Sequence, residues 1–562
     1  TYGLGKVYKT QDSVTNYTQE FSYDILGRSE KTKTTFPGKN SQLESHYERV
    51  SYDAHGRLLG SFDAARASEE WSSNAIKYSY NQYGYLAQVK DGSSNSPYYS
   101  LNNVDARGNS TSIEYGNGVL QSTQEFGGDT GYLERQRVTS NSLLLAGKDV
   151  QNRIYHWDTL GNLEYRIVGG VKKNGSSFAL RYLREDFRYD TMNRLMDYSV
   201  AGDSSAMVSV TYHPNGNIKS KSDVGGSNYV YGSTRPHAVT SAGGNSYAYD
   251  NVGSVISDGT GRTMAYTAFG QLSSVTKGNV TTKYYYAPDR SVFKREYISS
   301  GSTVTTLTIG SVEKQYYADG TYRWKRYINK HALVTQLFSS TGVSQGTTTD
   351  FMLYDHLGSL THIVGADGTP KDILDFDPWG KRRNPANFSA LSASDIQTKY
   401  FVNTKPSTSN GFTDHEMMDE VGLVHMNGRV QDPSLGMFIQ VDPVVEDVSN
   451  TQTFNRYSYV QNNPLNATDP SGYSSDSEEE ILVTGRRMAN MAQDANSTAI
   501  FIESFMVGDA TFFAYHSFNS NTNTSTKLGS TNESGLRNFK EAVQSKGFSF
   551  INLKSTTGKN SS

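Results

Sequence analysis

The chain has no cysteine, which excludes disulfides, thiolate catalysis and cysteine-ligated zinc and leaves the redox compartment open. It has no apolar run near the roughly 18 to 20 residues that cross a bilayer as a helix, so no membrane span is expected. It has little net charge: 53 Lys and Arg against 56 Asp and Glu leave a formal −3. That balance gives no global field to hold nucleic acid or an anionic membrane. Proline is scarce, 13 in 562 residues, and unevenly placed. The first residues show no basic stretch followed by an apolar one, and Thr1 already lies in repetitive sequence. The chain therefore reads as a fragment, with any delivery domain upstream.

What is abundant is tyrosine, 39 residues, and glycine, 51. Rings and glycine in this ratio suit many short strands joined by tight turns, not a helical bundle. The length exceeds what one hydrophobic core usually serves, so several domains or a large repetitive shell are expected.

A repeated unit runs through the first 370 residues: an aromatic, Asp or Asn, two variable residues, Gly, then a polar residue. It is written Tyr23-Asp24-Ile25-Leu26-Gly27-Arg28 and again Tyr52-Asp53-Ala54-His55-Gly56-Arg57. Looser copies follow around Tyr80, Asp105, Trp157, Tyr189, Tyr212, Tyr249 and Tyr354. Asp or Asn can accept from a backbone N–H two residues on, and Gly, once replaced by Asn193, takes the positive φ that closes a hairpin. Each unit is thus expected to be a turn between two strands whose rings share a face, and neighbouring hairpins must stack to bury them.

This unit resembles the YD repeat of Rhs proteins, Tc-toxin C components and teneurins. The resemblance implies a mainly β fold, in which the repeats coil into a β-cocoon over residues 1–370.

From 371 to 472 the composition changes, and seven of the prolines fall at 378, 385, 406, 433, 443, 464 and 470. Because Pro removes donors and fixes φ, an irregular plug is expected here instead of a sheet. The wording Phe376-Asp377-Pro378-Trp379-Gly380, Asn427-Gly428-Arg429, Val441-Asp442-Pro443 and Asp469-Pro470-Ser471-Gly472 resembles the Rhs-associated core. That family's core is an intramolecular aspartyl protease that cuts just after its last Asp-Pro-x-Gly, freeing a toxin held inside the cocoon. Carried over by position, Asp442 and Asp469 are the catalytic carboxylates, Arg429 their partner, and Gly472, Tyr473 and Ser474 frame the cut. Two close carboxylates can share a proton, one activating water and the other protonating the leaving group. This chain departs from the pattern in three ways: Val444-Val445 after the first Asp-Pro, 27 residues between the two Asp, and Tyr473 for the usual Leu. The plainer alternative is that both Asp cap turns beside Pro. His415, Glu416, Asp419 and His425 follow no tight ligand spacing, so neither metal nor cofactor is expected.

After Tyr473 proline disappears and an acidic stretch, Ser474 to Glu480, opens a new module, 473–562. Strands are expected over Thr498–Phe505, Thr511–Phe518 and Phe548–Leu553, with a polar loop over Asn519–Thr526. A helix is expected over about Ser534–Ser545, making a small α+β unit. By position in the family this is the variable effector. His516, with Glu503, Asp509, Lys527 or Arg537, offers acid–base chemistry, against the blander reading of a half-buried ring. Its formal charge of −1 lends a nucleic-acid target only weak support.

The resemblance implies a bacterial, secreted or delivered toxin whose shell encloses its own C-terminal effector. A cognate immunity protein and a type VI secretion spike, or a Tc B-like component, would be its partners. The competing classes are a structural or adhesive YD-repeat surface protein with an inactive C-terminal domain, and a carbohydrate-binding surface protein.

Overall fold

In the computed structural model the described residues are 5–38, 42–64, 75–175, 177–200, 207–225, 229–445, 447, 450–474, 476–477, 498–507, 510–519, 524–531 and 550–551. The chain divides into two compact units, one of residues 1–442 and 457–475, the other of 443–456 and 476–562.

The first unit is mainly β. Among the described residues a 17-stranded sheet runs from Lys9–Asp12 to Ile218–Lys221, and a 15-stranded sheet from Val230–Tyr231 to Pro370–Ile373. Strands pair antiparallel with their sequence neighbours, so each sheet is a long meander. The second sheet runs alongside the first in the same order. Phe293 packs on Tyr17 with ring centroids 4.8 Å apart, Arg326 bonds Asp63 at 2.6 Å, His331 stacks on Tyr99 at 4.0 Å and Ser140 donates to the Gly368 carbonyl at 2.7 Å.

The repeat's chemistry explains this regularity. In Tyr23 to Arg28, Asp24 Oδ1 accepts from the backbone N–H of Leu26 and of Arg28, both at 2.9 Å, and Gly27 takes φ +76°. Asn193 fills the same place at φ +59°, where Asn is the best-tolerated substitute. The Arg at the end of the unit then bonds the second Asp oxygen, as Arg28, Arg57 and Arg194 do to Asp24, Asp53 and Asp190. Its guanidinium also covers the tyrosine of the next unit: Arg28 over Tyr52 at 4.2 Å, Arg57 over Tyr80 at 4.3 Å, Arg194 over Tyr212 at 4.4 Å.

The tyrosines do more than pack. Tyr52 donates its phenol to the Ser29 carbonyl, Tyr189 to Leu163, Tyr212 to Leu195, Tyr249 to Val239 and Tyr286 to Leu272, at 2.6–3.0 Å. In each case the acceptor lies at the start of the strand after the preceding turn, so each of these hairpins is pinned to the one before it.

The segment 371–472 is less irregular than expected. Among its described residues it holds one short α-helix, Ala393–Lys399, a few 3-10 turns and a four-stranded antiparallel sheet of Glu416–Met418, Leu423–Met426, Arg429–Asp432 and Met437–Phe438. All seven prolines fall outside these elements, so the ladders lose no donor. The sheet is buried with Trp379, Phe412, Tyr459 and Leu465 in one core shared with the inner faces of both large sheets. Tyr229 donates to the Leu435 carbonyl at 3.0 Å and Tyr457 to that of Gly253 at 2.7 Å.

The second unit contains the strands Thr498–Val507, Ala510–Asn519, Thr524–Thr531 and Phe550–Ile551 in one sheet. The last part of the expected polar loop is therefore strand. The expected helix Ser534–Ser545 lies outside the described residues. Among the described residues no helix is long and apolar enough to cross a membrane.

Candidate functional site

The site is built on the hairpin formed by Leu423–Met426 and Arg429–Asp432, in register with Met426 opposite Arg429. Asn427 turns the chain with φ +62°. Arg429 follows directly, buried and lying over the Phe438 ring at 3.7 Å, a face contact that holds a guanidinium flat.

That one guanidinium gathers the residues named from the sequence. Nη1 meets Asp442 Oδ2 at 2.8 Å and Nη2 meets Asp469 Oδ2 at 2.9 Å. Nε donates to the Gly472 carbonyl, the carbonyl of the Gly472–Tyr473 peptide bond. Both carboxylates are buried, at 6% and 2% exposure, where a charge needs a partner. Asp469 reaches past the bond as well, its Oδ1 accepting from the Ser474 N–H at 3.0 Å.

The segment 469–472 is held carbonyl by carbonyl. His415 Nε2 donates to the Asp469 oxygen at 3.0 Å, the Asn427 amide to Pro470 at 3.0 Å, and the Gly428 N–H to Ser471 at 2.9 Å. Arg429 then takes Gly472. Three successive residues of the turn, Asn427, Gly428 and Arg429, thus hold three successive carbonyls. The fit leaves no room for side chains. A Cβ at Gly428 would collide with the Tyr473 ring, and one at Gly472, where φ is +75°, with the Met426 carbonyl. Tyr473 in place of Leu is accommodated because its ring lies against Gly428, and the 27-residue spacing still brings both carboxylates to Arg429.

Burial holds the His415 imidazole down to about 4, opposed by its bond to the Asp469 carbonyl, so at neutral pH it is an uncharged donor. Burial, with the Asp442 charge a smaller cause, raises the Tyr473 phenol.

His415, Asn427, Gly428 and Phe438 were not singled out for this role by the sequence. The signal present there was Asn-Gly, a strong hairpin-turn pair, immediately before Arg429. The four residues that invite a metal reading have separate partners: His415 meets the Asp469 carbonyl, Glu416 meets Arg295, Asp419 meets Arg382 at 2.6 Å, and His425 meets the Tyr286 hydroxyl at 3.3 Å. His516 falls in the strand Ala510–Asn519, opposite Lys527 in register; its side chain lies outside what the structure describes.

Residues 159–301 match the family model of the teneurin YD-shell. Salivary gland surface protein 1 of Aedes aegypti is 29% identical over 121 residues, 22% of this chain and 3% of that protein. The tRNA3(Ser)-specific nuclease WapA of Bacillus spizizenii is 23% identical over 295 residues, 51% of this chain and 12% of that protein. Among solved structures, the TcdB2-TccC3-Cdc42 crystal structure matches with a TM-score of 0.63 at 16% identity, over 86% of this chain and 24% of the matched one. The Tc holotoxin pore of Photorhabdus luminescens matches with a TM-score of 0.59 at 15% identity, over 83% and 24%. The chain spans a quarter or less of each of these proteins. By its repeats and by the family match over residues 159–301 the chain is similar to YD-repeat shell proteins, and it shares the fold of the Tc toxin structures.

Proposed function

We propose that this chain is part of a toxin of the Rhs or Tc type, which hydrolyses its own backbone between Gly472 and Tyr473 and so frees residues 473–562 as the effector. The observation that carries this reading is the shared guanidinium, with two carboxylates and the carbonyl of one peptide bond on Arg429.

In this reading Arg429 Nε stabilises the oxygen on which negative charge develops as water adds to the Gly472 carbonyl carbon. One carboxylate takes the proton of the attacking water and the other gives its proton to the Tyr473 nitrogen. The C–N bond breaks, leaving a carboxylate on Gly472 and an amine on Tyr473. The pair of Asp residues holds one proton between them at the start, so the roles belong to the pair. The carbonyl clamp replaces the binding step of an ordinary protease, since the substrate is already in place.

The effector's chemistry is open to the same kind of argument. WapA is named a tRNA nuclease, which favours a nuclease, while the −1 charge of residues 473–562 weighs against a polyanion target. Delivery with other Tc components, and secretion into a target, rest on the likeness to TccC3.

Gel analysis and intact mass of the purified chain beside Asp442→Asn and Asp469→Asn test the proposal. The parent is expected as two pieces and both variants as one chain. Cleavage persisting in either variant excludes the carboxylate pair.

A further inference from the structure

Three adjacent strands, Gln151–Trp157, Leu163–Asn174 and Ser177–Tyr189, place Arg153, Arg166, Arg181 and Glu185 beneath the core segment, which adds Asp375 and Arg383. Most of this charge is matched. Arg383 makes two bonds to Glu185, at 2.7 and 2.8 Å, and one to Asp375 at 2.7 Å. Arg166 adds two more to Glu185, at 3.0 and 2.8 Å.

Arg153 and Arg181 are less well matched. Arg153 makes only a long ion pair with Asp375, at 3.7 Å and beyond hydrogen-bonding distance, on a carboxylate already bonded by Arg383. Among the described residues no acceptor meets Nε of Arg153 or Nε and Nη1 of Arg181. Four guanidiniums stand against the two carboxylates that pair with them, and Arg153 and Arg181 are buried, at 2% and 6% exposure. Buried cations that outnumber their counter-charges are costly to a fold.

Two neighbours sharpen the site. Gly170 stands between Arg181 and Gln151 in the cross-strand row, so no side chain fills that position, and a Cβ there would press on the Val150 carbonyl. His362 Nδ1 lies 3.1 Å from Gln151 Oε1. The Gln151 amide nitrogen is fixed by its bond to the Tyr354 carbonyl at 3.1 Å, so Oε1 is the acceptor and Nδ1 carries the proton. His362 Nε2 is then a bare lone pair, buried and unpartnered among the described residues.

We propose that Arg153, Arg181 and His362 form a buried site for a small tetrahedral oxyanion that retains a proton, hydrogen phosphate being the simplest. Its oxygens accept from the two guanidiniums, and its O–H donates to His362 Nε2. Burial lowers the Arg181 guanidinium to about 10 and the His362 imidazole well below its ordinary range, which leaves the arginine charged and the histidine neutral at pH 7. The ligand offsets the surplus charge under Asp375 and Arg383 and so fastens the core segment to the strip.

The test is thermal unfolding of the intact chain in phosphate, sulfate and chloride at matched pH and ionic strength, with native mass spectrometry of the unaltered protein. Phosphate is expected to raise the parent Tm by about 2 °C or more over chloride, sulfate by less, and one phosphate to survive desalting. Arg181→Leu and Arg153→Leu are each expected to lose the phosphate-specific shift. Equal Tm in phosphate and chloride, or a shift that survives Arg181→Leu, overturns the site. Equal stabilisation by sulfate overturns the part given to His362. Should both variants fail to fold, absence of bound phosphate in the parent spectrum overturns the proposal by itself.

Discussion

The tyrosines of the repeat strip and the arginine of the core segment both hold backbone carbonyls, and they do so in opposite ways. Along the strip a phenol from one hairpin takes one carbonyl of the hairpin before it, over and over, from Tyr52 to Tyr286. Each bond has many copies, so none is indispensable. In the core Arg429 holds two carboxylates and one carbonyl at once; Arg262 does the same with Asp258, Asp432 and the Val421 carbonyl, and what sets Arg429 apart is that its carbonyl is that of Gly472, at the end of the last Asp-Pro-x-Gly. Redundancy suits a wall, whereas convergence on one side chain suits chemistry that must happen at one bond.

The comparison is broken most severely at Arg429. Arg429→Leu leaves two buried carboxylates without their cation, a loss of roughly 3–5 kcal/mol, and abolishes cleavage; Arg429→Lys keeps the charge but not the three-way geometry. Denaturant unfolding and a gel separate the two effects: Arg429→Lys should stay folded and uncut. Next comes Gly472→Ala. It meets both a positive φ and the Met426 carbonyl, so the clamp must open, and a gel time course is expected to show cleavage slowed by orders of magnitude.

A third prediction concerns acid. Burial lowers His331, His356 and His415 to about 4 each, against an ordinary 6.5. Below pH 6.5 the unfolded chain takes up protons that the folded chain refuses until about pH 4. Stability from these groups is therefore complete above 6.5 and is lost as pH falls through that window, by up to about 3 kcal/mol each. Melting curves between pH 7 and 4.5 should fall accordingly, and His415→Gln should flatten part of the fall; a level profile contradicts the assignment. The smallest effect belongs to the strip. Tyr212→Phe removes one bond to Leu195 and is expected to cost about 1 kcal/mol, with Tyr52→Phe, near the surface, costing less. A cost at Tyr212 as large as that at Arg429 would erase the contrast.

Much of the strip was legible because its signals are local. The Asp-to-Gly turn is written within six residues, and Asn193 in place of Gly is predictable from φ alone. The phenol's destination was not, since Leu195 lies 17 residues before Tyr212 and Ser29 23 before Tyr52. The residues of the site, Arg429, Asp442 and Asp469, were reached through wording shared with a family, not through spacing. The meeting of Arg429 with Asp469, and the clamp by His415 and Asn427, depend on contacts across 40 residues or more. The proline-rich segment misled in one respect. Counting prolines predicts irregularity, but their positions, all outside the four short strands, allow a sheet between them. The Arg153 and Arg181 cluster left no trace in the sequence, because its groups come from residues 153 to 383.

The most direct measurement is the intact mass of the purified full chain, with the amino-terminal sequence of any small fragment. The account predicts a piece of roughly 90 residues that begins at Tyr473, because Arg429 holds the carbonyl of Gly472. A folded chain that stays whole, or a fragment that begins anywhere else, contradicts it.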